Sequence, residues 1–282
     1  MRIFIKTIVT FFLLVLIIAI PIDYYLTHYF FKDWNNISQY QKDFWVLNQK
    51  DQELDIAILG TSRAFHVINP AIIKEINPKA KVVNYGTDGT SHADHYLYLY
   101  QLLQNNVKMD TLVLEVDEFT LSGWLTNTVP FKDYVFALKC HEEPFKQAYK
   151  DYFDRGKYFF WKLPLIRFVE YNSHYQLNPL NKYNGDRFSN NYGFIGASNK
   201  GFNRTYKKDS LQIKMHPFDI QYLNMIIKLA KKENIHIVLF TAPIEESFIK
   251  KEINRTKSIL KIKEIASKHG VDYYDFSRVK GL

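Results

Sequence analysis

The sequence of 282 residues predicts a three-layer α/β sandwich on a five-stranded parallel sheet, preceded by one N-terminal transmembrane helix. Two observations carry the sandwich. Five short apolar runs each end in a glycine, acidic or proline turn, and segments of helical length separate most of them. Continuous apolar strands alternating with helices mark a parallel sheet covered on both faces. The third observation, a charge-free apolar stretch near the start, carries the membrane helix. The expected organisation is an anchor over 1–23, a connector over 24–52 and an α/β domain over 53–282 with an aromatic-rich insertion at 121–215.

Residues 7–22 read TIVTFFLLVLIIAIPI, with no charge between Lys6 and Asp23. A bilayer core takes about 20 apolar residues. Lys6 can snorkel, and Tyr24, Tyr25, Tyr29 and Phe30 can anchor the far interface. A signal sequence passes the same test, but Ile20-Pro21-Ile22 stands where a small-x-small cleavage site is wanted, so an uncleaved anchor is expected. Arg2 and Lys6 precede the helix, which places the short N-terminus in the cytoplasm and the bulk of the chain outside; Lys32 weakens this bias a little.

The five strands are expected at 55–59, 81–85, 111–116, 235–240 and 271–274, with helices at 69–76, 92–103, 217–233 and 245–268. Ile220, Leu223, Ile226, Ile227 and Ala230 recur at helical spacing and read as a core stripe. Gly270 stands where a helix-stopping glycine belongs.

Composition sets bounds. Hydrophobic residues at 47% against 23% charged are enough for a sizeable core and exclude a disordered chain. The single cysteine, Cys140, closes no intramolecular disulfide and builds no zinc knuckle. The net charge of +8 is spread along the chain among 29 acidic residues, without the basic stripe that nucleic-acid binding requires. Anionic lipid head groups are the expected partner of that charge.

Ligands of open parallel sheets bind beyond the carboxyl ends of the strands. After the first strand comes Gly60-Thr61-Ser62-Arg63, which puts a serine on a tight strand-to-helix turn. After the second comes Asn84-Tyr85-Gly86-Thr87-Asp88-Gly89. These blocks, with the late 238–243 run VLFTAP, resemble in order and context the SGNH/GDSL hydrolase superfamily, and within it membrane-anchored bacterial envelope proteins of polysaccharide acylation. The resemblance spans about 55–277. It implies that Ser62 is the nucleophile, that the Ser62 and Gly86 amides form the oxyanion hole, and that Pro243 lies beside the site. Arg63, Asn84, Asp117 and Pro243 are the expected substrate-binding residues. Ser62 also has a plainer reading as the cap of the following helix. Arg63 is available to a substrate carboxylate or phosphate, or to Asp88.

Two departures matter. Strand three ends Glu115-Val116-Asp117-Glu118, with no Asn for the oxyanion. The Asp-x-x-His block that supplies the family's base is absent after Asp275, where the chain reads Phe276-Ser277-Arg278 and soon ends. Without a base a serine hydroxyl is a poor nucleophile. The chain as given is therefore expected to be at best a feeble esterase, either degenerate or truncated. His92 and His95 are the first substitutes to consider, while the His66 side chain is expected to run along its helix away from the hydroxyl.

No metal or cofactor is expected: His141-Glu142-Glu143 and Asp51, Glu53 and Asp55 lack ligand spacing. Trp124, Trp161 and the Tyr158-Phe159-Phe160 run stack on sugars or pack beneath a cap. Two functions are compatible with this pattern: a membrane-anchored serine esterase or O-acyltransferase on envelope glycans, working with an acyl donor and a membrane-bound acyl-transfer partner; or a non-catalytic glycan-binding or assembly protein. The expected location is the bacterial cytoplasmic membrane, single-pass, with the C-terminal domain extracytoplasmic.

Overall fold

Runs rich in Ile, Leu and Val form the strands, and a computed structural model shows how they pair. It describes residues 1–25, 42, 45–122, 143–152, 165, 186–194, 214–244, 249 and 254–278. The strands are β1 (Glu53–Leu59), β2 (Val82–Asn84), β3 (Lys108–Glu115), β4 (His236–Thr241) and β5 (Asp272–Asp275). Among the described residues the helices are α1 (Arg2–Tyr25), α2 (Ser62–Val67), α3 (Pro70–Ile76), α4 (His92–Gln104), α5 (Phe145–Tyr152), α6 (Asp186–Ser189), α7 (Pro217–Lys232) and α8 (Arg255–His269). Much of the insertion, including Trp124, Trp161, residues 158–160 and His141, lies outside the described residues, as do Tyr29, Phe30 and most of 245–253.

All strand pairs are parallel and run β2-β1-β3-β4-β5. This is the flavodoxin-like doubly wound order, and it confirms the expected α/β class. β3 starts at Lys108 rather than 111 because Lys108 and Met109 pair with Glu53 and Leu54. Ala57, Leu59, Leu112, Leu114 and Leu239 are 0% exposed. By alternation they share the sheet face on which right-handed crossovers place α4 and α7, which pack together. On the other face Ile58, Val82 and Phe240 pack with Ala64 of α2, and Ile68 and Ile73 lie against them. Gly270 closes α8 in the left-handed conformation, φ 57°.

The chain divides into two compact units, Met1–Gln41 with Pro130–Asn184, and Lys42–Val129 with Gly185–Leu282. The second holds the sheet, and residues as early as Lys42, Trp45, Val46 and Leu47 are buried in it. Within the first unit, α1 is a 24-residue apolar helix with a mean hydropathy of 2.9 over its best window. At 1.5 Å per residue it is about 36 Å long, enough to cross a hydrocarbon core of about 30 Å. Ile3, Phe11 and Ile17 are all more than 60% exposed, which suits a helix solvated by lipid. Asp23, near its end, accepts the Leu165 amide at 2.8 Å.

Candidate active site

The doubly wound order makes one crevice, where the connection after β1 turns toward β2 and the neighbouring strand is β3. Gly60-Thr61-Ser62-Arg63 enters α2 at this point. A Cβ on Gly60 would stand 2.5 Å from the Glu115 Cβ and 2.6 Å from that of Ala64, so only glycine lets β1 turn so close to β3. Thr61, not Ser62, caps α2: its Oγ1 accepts the Arg63 amide at 3.3 Å. Ser62 is half-buried, and among the described residues neither its amide nor its hydroxyl has a hydrogen-bond partner. The capping role that competes with a chemical role for this serine is thus taken by its neighbour.

The β2 turn lies against the same helix. A Cβ on Gly86 would come within 2.9 Å of the Phe65 nitrogen and 3.1 Å of the Ala64 Cβ, so Ser62 and Gly86 share one sheet edge as expected. Two expected roles on this turn do not match the geometry. The Gly86 amide is donated to Asn84 Oδ1 at 2.9 Å instead of standing open to an oxyanion. Asn84, expected to touch substrate, is fully buried and gives both amide protons to the carbonyls of Ala64 and Ile68, each at 2.8 Å. An asparagine with every polar atom used inside the fold is a brace between β2 and α2. The brace is itself held, since the buried Lys42 ammonium donates to the Asn84 and Gly193 carbonyls and lies over the Trp45, Phe65 and Phe188 rings.

Arg63 pairs with the acidic turn after β3. Its Nη1 lies 2.5 Å from Asp117 Oδ2 and 3.7 Å from Glu118 Oε1, and Arg255 meets Glu118 at 2.8 Å. Asp117 is 1% exposed, which removes it from substrate contact. Burial opposes its charge, but the Arg63 guanidinium, the Thr120 amide and the Glu115 carboxyl outweigh burial and hold it below the usual carboxylate range. Glu115 moves the other way: burial first, then the Asp117 charge, push its carboxyl well above that range. Its Oε2 accepts the Thr61 amide at 2.9 Å. Two guanidinium groups thus face the Asp117 and Glu118 carboxylates, with Glu115 beside them between β3 and the Ser62 turn, a paired-charge platform of the kind burial demands. Sequence reasoning missed this platform because Arg63 and Asp117 are 54 residues apart.

The histidines divide sharply. His92 and His95 are fully buried at the start of α4, rings 5.7 Å apart. His95 Nε2 lies 3.0 Å from Thr90 Oγ1. Burial, then the neighbouring His95, keeps the His92 ring neutral against the opposing pull of Asp117. Neither ring is open to a substrate. His66, by contrast, reaches Asp88 Oδ1 with Nε2 at 3.0 Å, and both side chains are about a quarter to a third exposed. Pro243 lies with Val67, Ile68, Val113, Val238, Phe240, Tyr274 and Phe276 around an apolar cleft of about 330 Å³ on the sheet face. Among the described residues no three His, Cys, Asp or Glu side chains gather as metal ligands.

The fold and this crevice define a doubly wound α/β protein with a serine turn at its switch point. No protein-family model matches the chain, and no curated protein matches it. Among solved structures it is similar to a "putative acylhydrolase" from Bacteroides fragilis, at 13% identity and a TM-score of 0.36, covering 88% of this chain and 81% of that one. A likeness of this degree assigns neither activity nor substrate.

Proposed function

We propose that the protein is a membrane-anchored serine esterase or O-acyltransferase whose nucleophile is Ser62. The observation that carries this reading is the Ser62 hydroxyl on the strand-to-helix turn at the switch point, without a hydrogen-bond partner among the described residues and with its capping role taken by Thr61. Ser62 attacks an acyl carbonyl, its own amide faces the developing oxyanion, and water or a sugar hydroxyl then takes the acyl group. The glycan of a bacterial envelope is the acceptor this reading favours. α1 tethers the domain to the cytoplasmic membrane, and Arg2 and Lys6 before it favour an extracytoplasmic domain.

A fluorophosphonate probe tests the nucleophile. Full-length protein in detergent should gain one phosphonyl group, mapped to Ser62 by peptide mass spectrometry; absence of the adduct removes the enzymatic reading. In intact spheroplasts, added protease should digest the domain, and its protection would reverse the orientation.

A second reading is a tethered glycan-binding or assembly protein. It is favoured by the commitment of the Gly86 amide and of Asn84 to the fold, which leaves the oxyanion site with fewer donors than an acyl-transfer centre ordinarily presents.

A further inference from the structure

We infer that His66, oriented by Asp88, is the general base for Ser62, a role that rests on Ser62 being the nucleophile. The pair stands in for the histidine that follows the last strand in proteins of the resembled superfamily.

Ser62 is the first residue of α2 and His66 the fifth. Residues four apart lie on one helix face with Cβ atoms about 5–6 Å apart. Helical side chains lean toward the N-terminus, the direction of Ser62, and the contact with Asp88 carries the ring across to the β2 turn, which corrects the expectation that it runs along its own helix away from the hydroxyl. Asp88 fixes the ring from the β2 turn. Its carboxylate only accepts, so Nε2 carries the proton across the 3.0 Å contact and Nδ1 carries the lone pair. Nucleophile, base and orienting acid then come from two adjacent turns of one sheet edge. The Ser62–His66 hydrogen bond itself is not made here, and such bonds commonly tighten only around bound substrate.

The chemistry balances. As Ser62 Oγ bonds to the acyl carbon, its proton passes to His66 Nδ1 and the carbonyl π pair moves to oxygen. Collapse of the tetrahedral intermediate breaks the bond to the alcohol oxygen, which takes the proton from Nδ1. Water or a sugar hydroxyl then attacks acyl-Ser62 and gives its proton to Nδ1. The second collapse frees the acid or the new ester, and the proton returns to Ser62.

His236 supplies an internal control. It lies 3.5 Å from Asp272 in a second His–Asp pair, at the start of β4 and about 60% exposed. Full-length protein in detergent is assayed with p-nitrophenyl acetate as wild type and as Ser62→Ala, His66→Gln, His66→Gly, Asp88→Asn and His236→Gln, with circular dichroism verifying each fold. His66→Gln should lower kcat by about 10²–10⁴-fold with little change in KM. Imidazole should restore part of the rate to His66→Gly. Asp88→Asn should lower kcat and alter the pH profile, and His236→Gln should match wild type. A folded His66→Gln variant that keeps its rate while Ser62→Ala loses it would overturn the role of His66 and leave Ser62 standing. Wild type with neither Ser62-dependent turnover nor a fluorophosphonate adduct would overturn the nucleophile itself, and the base with it.

Discussion

His66 and His92 each stand on a helix that follows a strand, and each has an aspartate within electrostatic reach, yet the fold places them in opposite surroundings. His66 faces Asp88 at the solvent edge, where both partners keep a quarter or more of their surface in water. His92 is sealed under the crevice beside Asp117, which is already taken by Arg63. A charge on His92 meets a dry interior and a second histidine, whereas a charge on His66 meets water and a carboxylate. Proximity to an acid does not make a base; a lone pair within reach of the substrate does. The buried region holds the turn in place, and the exposed pair is the one that the proposed mechanism uses.

Breaking the buried side should cost most in stability. Asp117→Ala strips Arg63 of its 2.5 Å partner and the Thr120 amide of its acceptor. Loss of one member of a buried pair typically costs about 3–5 kcal/mol, and denaturant unfolding of the full-length protein should show a loss of this size, moderated by the partial exposure of Arg63. Asn84→Ala comes next, at about 1–3 kcal/mol, since it removes the partner of the Gly86 amide and of the Ile68 carbonyl and leaves the Ala64 carbonyl only the Ile68 amide.

The third effect is a dependence on pH. The folded His92 ring holds its proton more weakly than the unfolded ring, so the unfolded state binds more protons below the ordinary histidine value of about 6.5, and stability is lost as pH falls through that range. Glu115 acts with the opposite sign, losing stability as pH rises from the usual carboxylate range toward its raised folded value. The difference in melting temperature between wild type and His92→Gln across pH 5–7.5 isolates the histidine, and the variant should show the shallower loss on the acid side. The smallest change in stability belongs to the rim pair: His66→Gln should alter unfolding free energy by only about 1 kcal/mol, the usual net worth of one hydrogen bond between partly exposed groups.

The sheet was legible because its signal is local. Residues 55–59 and 235–240 are apolar runs with no polar alternation, and a strand buried on both faces can hardly look otherwise. Ser62 and Gly86 could be placed on one edge because strand ends define the edge. What the sequence did not disclose is long-range pairing of side chains. Nothing local to Arg63 selects Asp117 over Asp88, and that choice comes from Gly60 bringing β1 within contact of Glu115. Asn84 reads as a ligand-facing residue in the sequence because brace and ligand contact call for the same amide. The Asp88 partner of His66 is a long-range feature too, although the N-terminal lean of helical side chains and the i to i+4 spacing from Ser62 are both present in the sequence.

The most direct test of the rim pair is the rate at which the fluorophosphonate modifies Ser62 as a function of pH, measured on full-length wild type and on His66→Gln. The wild-type rate should rise with pH through one ionisation, and the variant should be slow and lose that dependence. Superimposable profiles in the two proteins would contradict the assignment of His66 as base.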